Sequence, residues 1–122
     1  MIEQELDHLQ VKEQQAIQTF VRQLCERFAG QLVDVVLFGS KARGDSGPWS
    51  DIDILVIVQE ESWPLRREIS RLAARVSLDC NVLIGPRVIG QERWDRMRRD
   101  RFRLYQNILL ARLYPNERFQ AA

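Results

Sequence analysis

The chain has 122 residues, of which 45% are hydrophobic and 29% are charged, and its formal net charge is +1. This is the composition of an ordinary soluble globule with one hydrophobic core, so we expect a single domain over residues 1–122, with 114–122 as a tail that can fray. A membrane-spanning helix is excluded, because no apolar stretch approaches 18 residues.

The amino terminus and the cysteines indicate the cellular compartment. The first residues are acidic and lack the apolar segment of a signal peptide, which argues against secretion and favours a cytoplasmic protein. Cys25 and Cys80 lie in apolar segments without the spacing of metal ligands. We interpret both as free, buried thiols of a reducing compartment.

Charge is distributed unevenly along the chain. Residues 1–86 carry a net charge of −4 and residues 87–122 carry +5. The densest basic stretch consists of Arg93, Arg96, Arg98, Arg99, Arg101 and Arg103. It is either a solvated helix face, paired locally with Asp95 and Asp100, or a docking surface for an acidic partner or a nucleotide.

The first half of the chain predicts one helix and two strands. Apolar residues at steps of three and four predict an amphipathic helix from about residue 5 to 29, with Gly30 as its stop. Residues 33–38 are apolar on both faces, which is typical of a central strand. A loop rich in turn formers covers residues 41–50, and a second strand follows at about 52–58.

The second half predicts three helices and one more strand. Ser62 can cap a helix that carries Pro64 in its first turn, and a third strand follows at about 77–84, ended by Gly85 and Pro86. Two further helices are predicted at about 91–99 and 102–111, and the ordered helical pattern ends at Pro115. Trp63 and Trp94 are interpreted as helix packing residues.

This order of elements predicts the fold class. Strands that alternate with helices favour an α/β (α+β) fold, in which helices pack on one sheet. The connection between the first two strands has no crossover helix, so those strands should be antiparallel and the sheet should be mixed.

Two carboxylates stand at the start of the second strand. Asp51 and Asp53 are two residues apart, so their side chains should leave the same strand face, about 6.5 to 7 Å apart along the chain. Such a pair can bridge one or two hard cations, and Mg²⁺ is usually held by one or two carboxylates together with a substrate phosphate. An Asp within so apolar a strand would be costly to bury without a partner such as a metal.

A candidate phosphate-binding turn precedes these carboxylates. Gly39 and Ser40 end the first strand, and ten residues separate them from Asp51. Glycine allows close approach of the backbone, whose N–H groups can bind an anion, and the Ser40 hydroxyl can donate to a phosphate oxygen. Arg43 is close enough in sequence to neutralise the same triphosphate.

These residues carry a family resemblance. The Gly-Ser pair, the ten-residue spacing and the Asp-x-Asp motif at 51–53 resemble the minimal nucleotidyltransferases of the DNA polymerase β superfamily. The resemblance implies a palm-like mixed sheet, binding of Mg²⁺ and ATP, and transfer of a nucleoside monophosphate to a hydroxyl with loss of pyrophosphate. It implies that Asp51 and Asp53 are catalytic and bind metal, and that Gly39, Ser40 and Arg43 bind the nucleotide.

A third carboxylate usually lies on the next core strand in this family. Here that position falls on Asp79 or Asn81, which would share a face of the predicted third strand because they are two residues apart. We favour Asp79 as the third catalytic and metal-binding carboxylate. If Asn81 occupies the position instead, the protein would bind nucleotide and transfer it poorly.

The acceptor has to come from another molecule, since the chain has no additional helical domain to present one. Stand-alone proteins that resemble this one often accompany a small all-helical HEPN protein as the antitoxin of a toxin–antitoxin pair. They modify a tyrosine of the toxin with AMP. The resemblance thus implies protein adenylylation of a HEPN toxin within a hetero-oligomer.

Two other functions are kept as alternatives. One is an antitoxin that binds nucleotide, is catalytically weak and neutralises its partner by contact. The other is a nucleotidyltransferase of small molecules, similar to the aminoglycoside-modifying relatives, in which a homodimer could complete the acceptor site. Nucleic acid is disfavoured as a partner, because few aromatic residues interleave the basic stretch.

Overall fold

The computed structural model describes residues 9–38, 51–99 and 111–114. The helices are α1 (Val11–Phe28), α2 (Trp63–Cys80) and α3 (Gln91–Arg99). The strands are β1 (Leu32–Phe38), β2 (Ile52–Val58), β3 (Ile84–Gly90) and β4 (Ala111–Tyr114).

The strands of the described residues form one mixed sheet with the order β3-β2-β1-β4. β1 pairs antiparallel with both β2 and β4, while β2 and β3 are parallel. The mixed sheet and the antiparallel first pair are therefore confirmed. α2 supplies the crossover that a parallel β2–β3 pair requires.

Helices cover both faces of this sheet. Ile52, Ile54 and Val56 of β2 belong to the larger core cluster, which contains the apolar faces of α1 and α2. Leu55 and Ile57, on the other face, pack in a second cluster with Trp94 of α3. Since side chains alternate along a strand, the odd-numbered residues of β2 share the face that α3 covers.

Local sequence signals determine where the helices begin. The Ser62 hydroxyl accepts a hydrogen bond of 3.2 Å from the backbone N–H of Leu65, so the predicted cap of α2 is confirmed. At the start of α1 the backbone N–H of Gln10 donates to Glu13 Oε1 at 2.9 Å. α1 ends at Phe28 with Ala29 as its cap, directly before the predicted stop.

The predicted strand at 77–84 is wrong, because α2 continues to Cys80. The Ser77 hydroxyl donates to the carbonyl of Ala73 at 2.7 Å and accepts from the N–H of Ile84 at 2.9 Å. The Ser77 side chain thus forms one hydrogen bond within the last turns of the helix and a second one to the first residue of β3. Asn81, with φ of 56°, ends the helix in the left-handed conformation that asparagine tolerates.

β3 instead begins at Ile84 and runs through Gly85 and Pro86, which the sequence had suggested as a strand end. Proline lacks a backbone N–H and is disfavoured in a central strand. β3 lies at the edge of the described sheet and pairs only with β2, so Pro86 is tolerated there.

The last described segment also differs from the prediction. Residues 111–114 form β4, beside β1, and Leu113 is fully buried against the larger core. The predicted helix at 102–111 lies outside the described residues except for its last position, which belongs to this strand. Four residues are too few for a periodic signal, and their strand conformation depends on pairing with β1.

The two cysteines are free as predicted but half-buried rather than buried, and Trp94 packs as predicted whereas Trp63 does not. Cys25 and Cys80 are free and half-buried against the core, and burial raises the pKa of the Cys25 thiol. Trp94 is buried as predicted, but Trp63 is 68% exposed, with the Arg67 guanidinium 5.9 Å from its ring centre. No helix in the described part of the chain has both the length and the apolar character to cross a membrane.

Candidate functional site

Asp51 and Asp53 lie at the amino end of β2, the strand between β1 and β3. Asp51 directly precedes the strand and is exposed, whereas Asp53 is half-buried within it. Asp53 pairs with Phe38 at the end of β1 on one side and with Gly85 near the start of β3 on the other. Its carboxylate therefore lies on the face that α3 covers, in line with Leu55 and Ile57.

The charge of Asp51 acts on the Asp53 carboxyl. Burial raises the pKa of the Asp53 carboxyl, and the charge of Asp51 raises it further. The nearby Arg87 guanidinium opposes this and lowers the pKa of Asp53. Two acids and one base thus meet at this end of the sheet, and the like charges of the acids favour binding of a cation.

The backbone of β3 passes close to the Asp53 carboxylate at Gly85. A Cβ atom added at Gly85 would lie 3.6 Å from Asp53 Oδ1, an ordinary van der Waals distance. Arg87 follows two residues later, pairs with Leu55, and is exposed on the same face of the sheet. No local sequence signal marks Gly85 and Arg87 as neighbours of Asp53, because their placement beside it depends on the register of β3.

Asp79 and Asn81 do not lie on a strand beside Asp53. Asp79 is an exposed residue in the last turn of α2, and Asn81 is the cap of that helix. α2 packs its apolar residues on the face of the sheet opposite to the one that carries Asp53. The shared strand face predicted for Asp79 and Asn81 is therefore wrong, and the neighbour of Asp53 on the next strand is Gly85.

We expect the substitution Asp79→Asn to leave nucleotidyl transfer within about twofold of wild type, as is usual for an exposed side chain outside the reacting site. The measurement is the rate of label transfer from ATP at saturating Mg²⁺. A loss of tenfold or more would show that Asp79 reaches the site despite its position on α2.

The predicted nucleotide-binding residues Gly39, Ser40 and Arg43 lie outside the described residues. Gly39 follows Phe38 directly in the chain, and Phe38 is the β1 residue paired with Asp53. The assignment of Gly39, Ser40 and Arg43 to the nucleotide remains a prediction.

The carboxylates present suit one class of metal. Within residues 9–38, 51–99 and 111–114, no group of three His, Cys, Asp or Glu side chains could hold an ion. Asp51 and Asp53 supply oxygen ligands only, which suits Mg²⁺, an ion that keeps several waters and completes its shell with substrate phosphates. The donor set therefore fits a metal that arrives with a nucleotide.

The described part of the basic stretch lies on α3 and is partly paired. Arg98 donates to the Asp95 carboxylate and lies over the Trp94 ring, with 5.7 Å to its centre. The hydrogen bond from Arg98, followed by that from Gln91, lowers the pKa of Asp95. The interpretation as a solvated helix face with local pairs is confirmed for Asp95 and Arg98. Arg101, Arg103 and Asp100 lie outside the described residues.

Comparison with known proteins identifies relatives of this site. Residues 17–100 match the family model described as a nucleotidyltransferase domain. Putative protein adenylyltransferase MJ0141 of Methanocaldococcus jannaschii is 37% identical over 71 residues, which cover 57% of this chain and 72% of the relative. No solved structure matches.

Two further proteins of the same organism match over shorter segments. Putative protein adenylyltransferase MJ0604 is 45% identical over 47 residues, or 38% of this chain and 47% of the relative. Putative protein adenylyltransferase MJ1305 is 40% identical over 48 residues, or 39% of this chain and 31% of the relative.

Proposed function

Because the chain belongs to the nucleotidyltransferase domain family and is an enzyme of this class, we propose that it transfers AMP from ATP to a tyrosine hydroxyl of a partner protein. The partner in this proposal is a HEPN-family toxin, and the chain acts in the cytoplasm as its antitoxin. All three relatives are named putative protein adenylyltransferase, and these names support a protein as the acceptor.

The observation that carries the proposal is the carboxylate pair at the amino end of β2. Burial and the charge of Asp51 raise the pKa of Asp53, so holding both groups ionised at this position costs free energy. A divalent cation offsets that cost. A pair of carboxylates that a cation would stabilise is expected at a functional site rather than at a structural one.

The chain's own residues then have distinct tasks. Asp51 and Asp53 would hold one or two Mg²⁺ ions, and Gly39, Ser40 and Arg43 would bind the β- and γ-phosphates. Bound Mg²⁺ would neutralise charge on the triphosphate and on the departing pyrophosphate. The tyrosine hydroxyl loses its proton to solvent and its oxygen forms a bond to the α-phosphorus. The bond from that phosphorus to the bridging oxygen breaks, and pyrophosphate leaves with the electron pair.

The proposal is tested by incubating the purified chain with ATP labelled at the α-phosphate, Mg²⁺ and the HEPN protein encoded beside it. We expect label on a tyrosine of the partner, and a loss of about 100-fold or more in rate when Asp51 and Asp53 are both changed to Asn. Transfer by the double variant at the wild-type rate would refute the assignment of these residues. Mass spectrometry of the labelled peptide identifies the acceptor hydroxyl.

A second function is favoured by one specific observation. The strand residue beside Asp53 is Gly85, and the next side chain on that face is the cation Arg87 rather than a carboxylate. This arrangement is compatible with an antitoxin that binds nucleotide, transfers it poorly and neutralises its partner by contact. Neutralisation by the Asp51/Asp53 double variant, together with no transfer by wild type, would favour this function over the enzymatic one.

A further inference from the structure

A groove of about 490 Å³ separates α2 from β3. Its lining is mainly apolar and includes Ala74 and Leu78 of α2, Leu83 from the segment before β3, and Pro86 of β3. Leu78 is 84% exposed and Leu83 is 57% exposed, so two large apolar side chains meet solvent at this groove. Apolar side chains that are exposed together mark an interaction surface, whereas isolated ones are normal.

α1 packs against the opposite flank of α2. Arg27 of α1 donates to the Glu68 carboxylate of α2 at 3.3 Å. Glu68 and the groove residue Ser70 are two positions apart, which turns their side chains by about 200° around the helix axis. The groove and α1 therefore occupy different flanks of α2.

A row of arginines runs along α2 beside the groove. Arg67, Arg71 and Arg75 are exposed and spaced by four residues, so their side chains lie along one line of the helix surface. The groove residues that follow each of them by three positions are turned by only about 60° around the axis. Trp63, which is also exposed, comes four positions before Arg67 and continues the row. The rim that α2 gives the groove is therefore basic, with an aromatic residue at one end.

The shape of the groove favours a helix over a strand as its occupant. Along α2 the lining extends from Ser70 to Asn81, roughly 17 Å, which matches about three turns of a second helix. An added strand would need backbone donors along β3, and Pro86 has no N–H to donate. An apolar groove binds an amphipathic helix through side chains alone.

Charge favours a partner protein over a second copy of this chain. α2 and α3 each carry four arginines against one glutamate and one aspartate, and α1 carries one lysine and two arginines against two glutamates. Any of these helices from a second copy would bring net positive charge to a basic rim, and like charges across an interface are unfavourable. An acidic helix would complement the rim.

We propose that the groove between α2 and β3 binds an amphipathic helix of a partner protein, with apolar residues in the groove and acidic residues facing Arg67, Arg71 and Arg75. Leu78 and Leu83 supply apolar contacts, and the arginine row selects the acidic flank. This inference goes beyond the proposed function, because α2 packs on the face of the sheet opposite to the one that carries Asp53. Its test therefore requires binding and not nucleotidyl transfer.

The test measures the fluorescence anisotropy of a labelled helical peptide of about 15 residues, with leucines at steps of three and four and glutamates along one flank. A second peptide carries lysine in place of every glutamate. We expect the full chain to bind the acidic peptide saturably and at least about tenfold more tightly than the lysine peptide. Binding of the acidic peptide should weaken as salt is added.

Two variants separate the charged and apolar contributions. The double variant Arg67→Gln and Arg75→Gln should weaken binding of the acidic peptide by about fivefold or more. Leu78→Ser should weaken it by about tenfold, because the leucine loses its apolar contact, and should keep the wild-type circular dichroism since this side chain is exposed. The matched control is Arg96→Gln and Arg99→Gln, which removes two exposed charges from α3 on the other face of the sheet and should bind as wild type does.

Equal affinity for the two peptides, equal affinity of the two arginine double variants, or no saturable binding by wild type would overturn the inference. A wild-type dimer in sedimentation velocity that Leu78→Ser dissociates would also refute it, by assigning the groove to a second copy. So would a single-stranded RNA that binds more tightly than the acidic peptide and loses affinity when Arg67 and Arg75 are changed but not in Leu78→Ser. That result would assign the arginine row to nucleic acid.

Discussion

The substitution Asp53→Asn is expected to reduce nucleotidyl transfer by about 100-fold or more and, without metal, to leave the protein at least as stable as wild type at neutral pH. The loss of transfer follows from the loss of a charged metal ligand, which contributes several kcal/mol of charge stabilisation in the transition state. The effect on stability follows from the environment of this carboxylate. Burial and the neighbouring charge of Asp51 both disfavour its ionised form in the folded protein.

The sign of the pH dependence can be derived from the same pKa. The pKa of Asp53 is raised on folding, so between the ordinary Asp pKa of about 3.9 and the raised value the folded state binds more protons than the unfolded state. The stability contributed by protonated Asp53 is therefore present below the ordinary pKa and is lost as the pH rises through the raised one. Asp53→Asn should therefore reduce the dependence of the free energy of unfolding on pH in this range.

Thermal unfolding of wild type and Asp53→Asn between pH 3 and 8, in the presence of a chelator, measures this pH dependence of stability. Addition of Mg²⁺ should then stabilise wild type more than the variant. Glu60→Gln is a suitable control, because it removes one negative charge from an exposed position beyond the other end of β2. A variant that loses both stability and activity at pH 7 would contradict the argument, since it would give Asp53 a structural role in the free protein.

The elements that position the carboxylates could be predicted from local sequence. β1 and β2 are short runs of apolar residues bounded by turn formers. The Asp-x-Asp spacing predicts that both carboxylates share one strand face, and Asp53 lies within β2 while Asp51 directly precedes it. The cap at Ser62 is likewise a local hydrogen bond. Local sequence patterns were therefore sufficient to predict the strands that carry and flank the carboxylates.

The other half depends on contacts between distant residues. The stretch from Ser77 to Ile84 is compatible with a strand by composition, and it is helical up to Cys80 because Ser77 bonds both to Ala73 and to Ile84. This moves the start of β3 by seven residues from the predicted position. The register with β2 then brings Gly85 beside Asp53, and no local pattern contains that information.

Gly85→Asp is expected to separate metal binding from transfer. The new Cβ would lie 3.6 Å from Asp53 Oδ1, so the backbone accepts a side chain there, and the added carboxylate would repel Asp53 and attract Mg²⁺. Coulomb energies at partly exposed positions are on the order of 1 to 4 kcal/mol, which corresponds to a gain of about fivefold or more in Mg²⁺ affinity. Without metal the same repulsion should lower the melting temperature.

Transfer responds in opposite directions under the two functions considered for this site. If the wild-type site already transfers efficiently, Gly85→Asp lowers transfer by about tenfold although Mg²⁺ binds more tightly, because the added carboxylate repels the triphosphate and offsets the charge of Arg87. If the wild-type site is weak because it lacks a carboxylate at this position, the same variant transfers faster. Calorimetric titration with Mg²⁺ and single-turnover transfer by wild type, Gly85→Asp and Gly85→Ala distinguish these outcomes. Gly85→Ala controls for the added Cβ, which makes only an ordinary van der Waals contact.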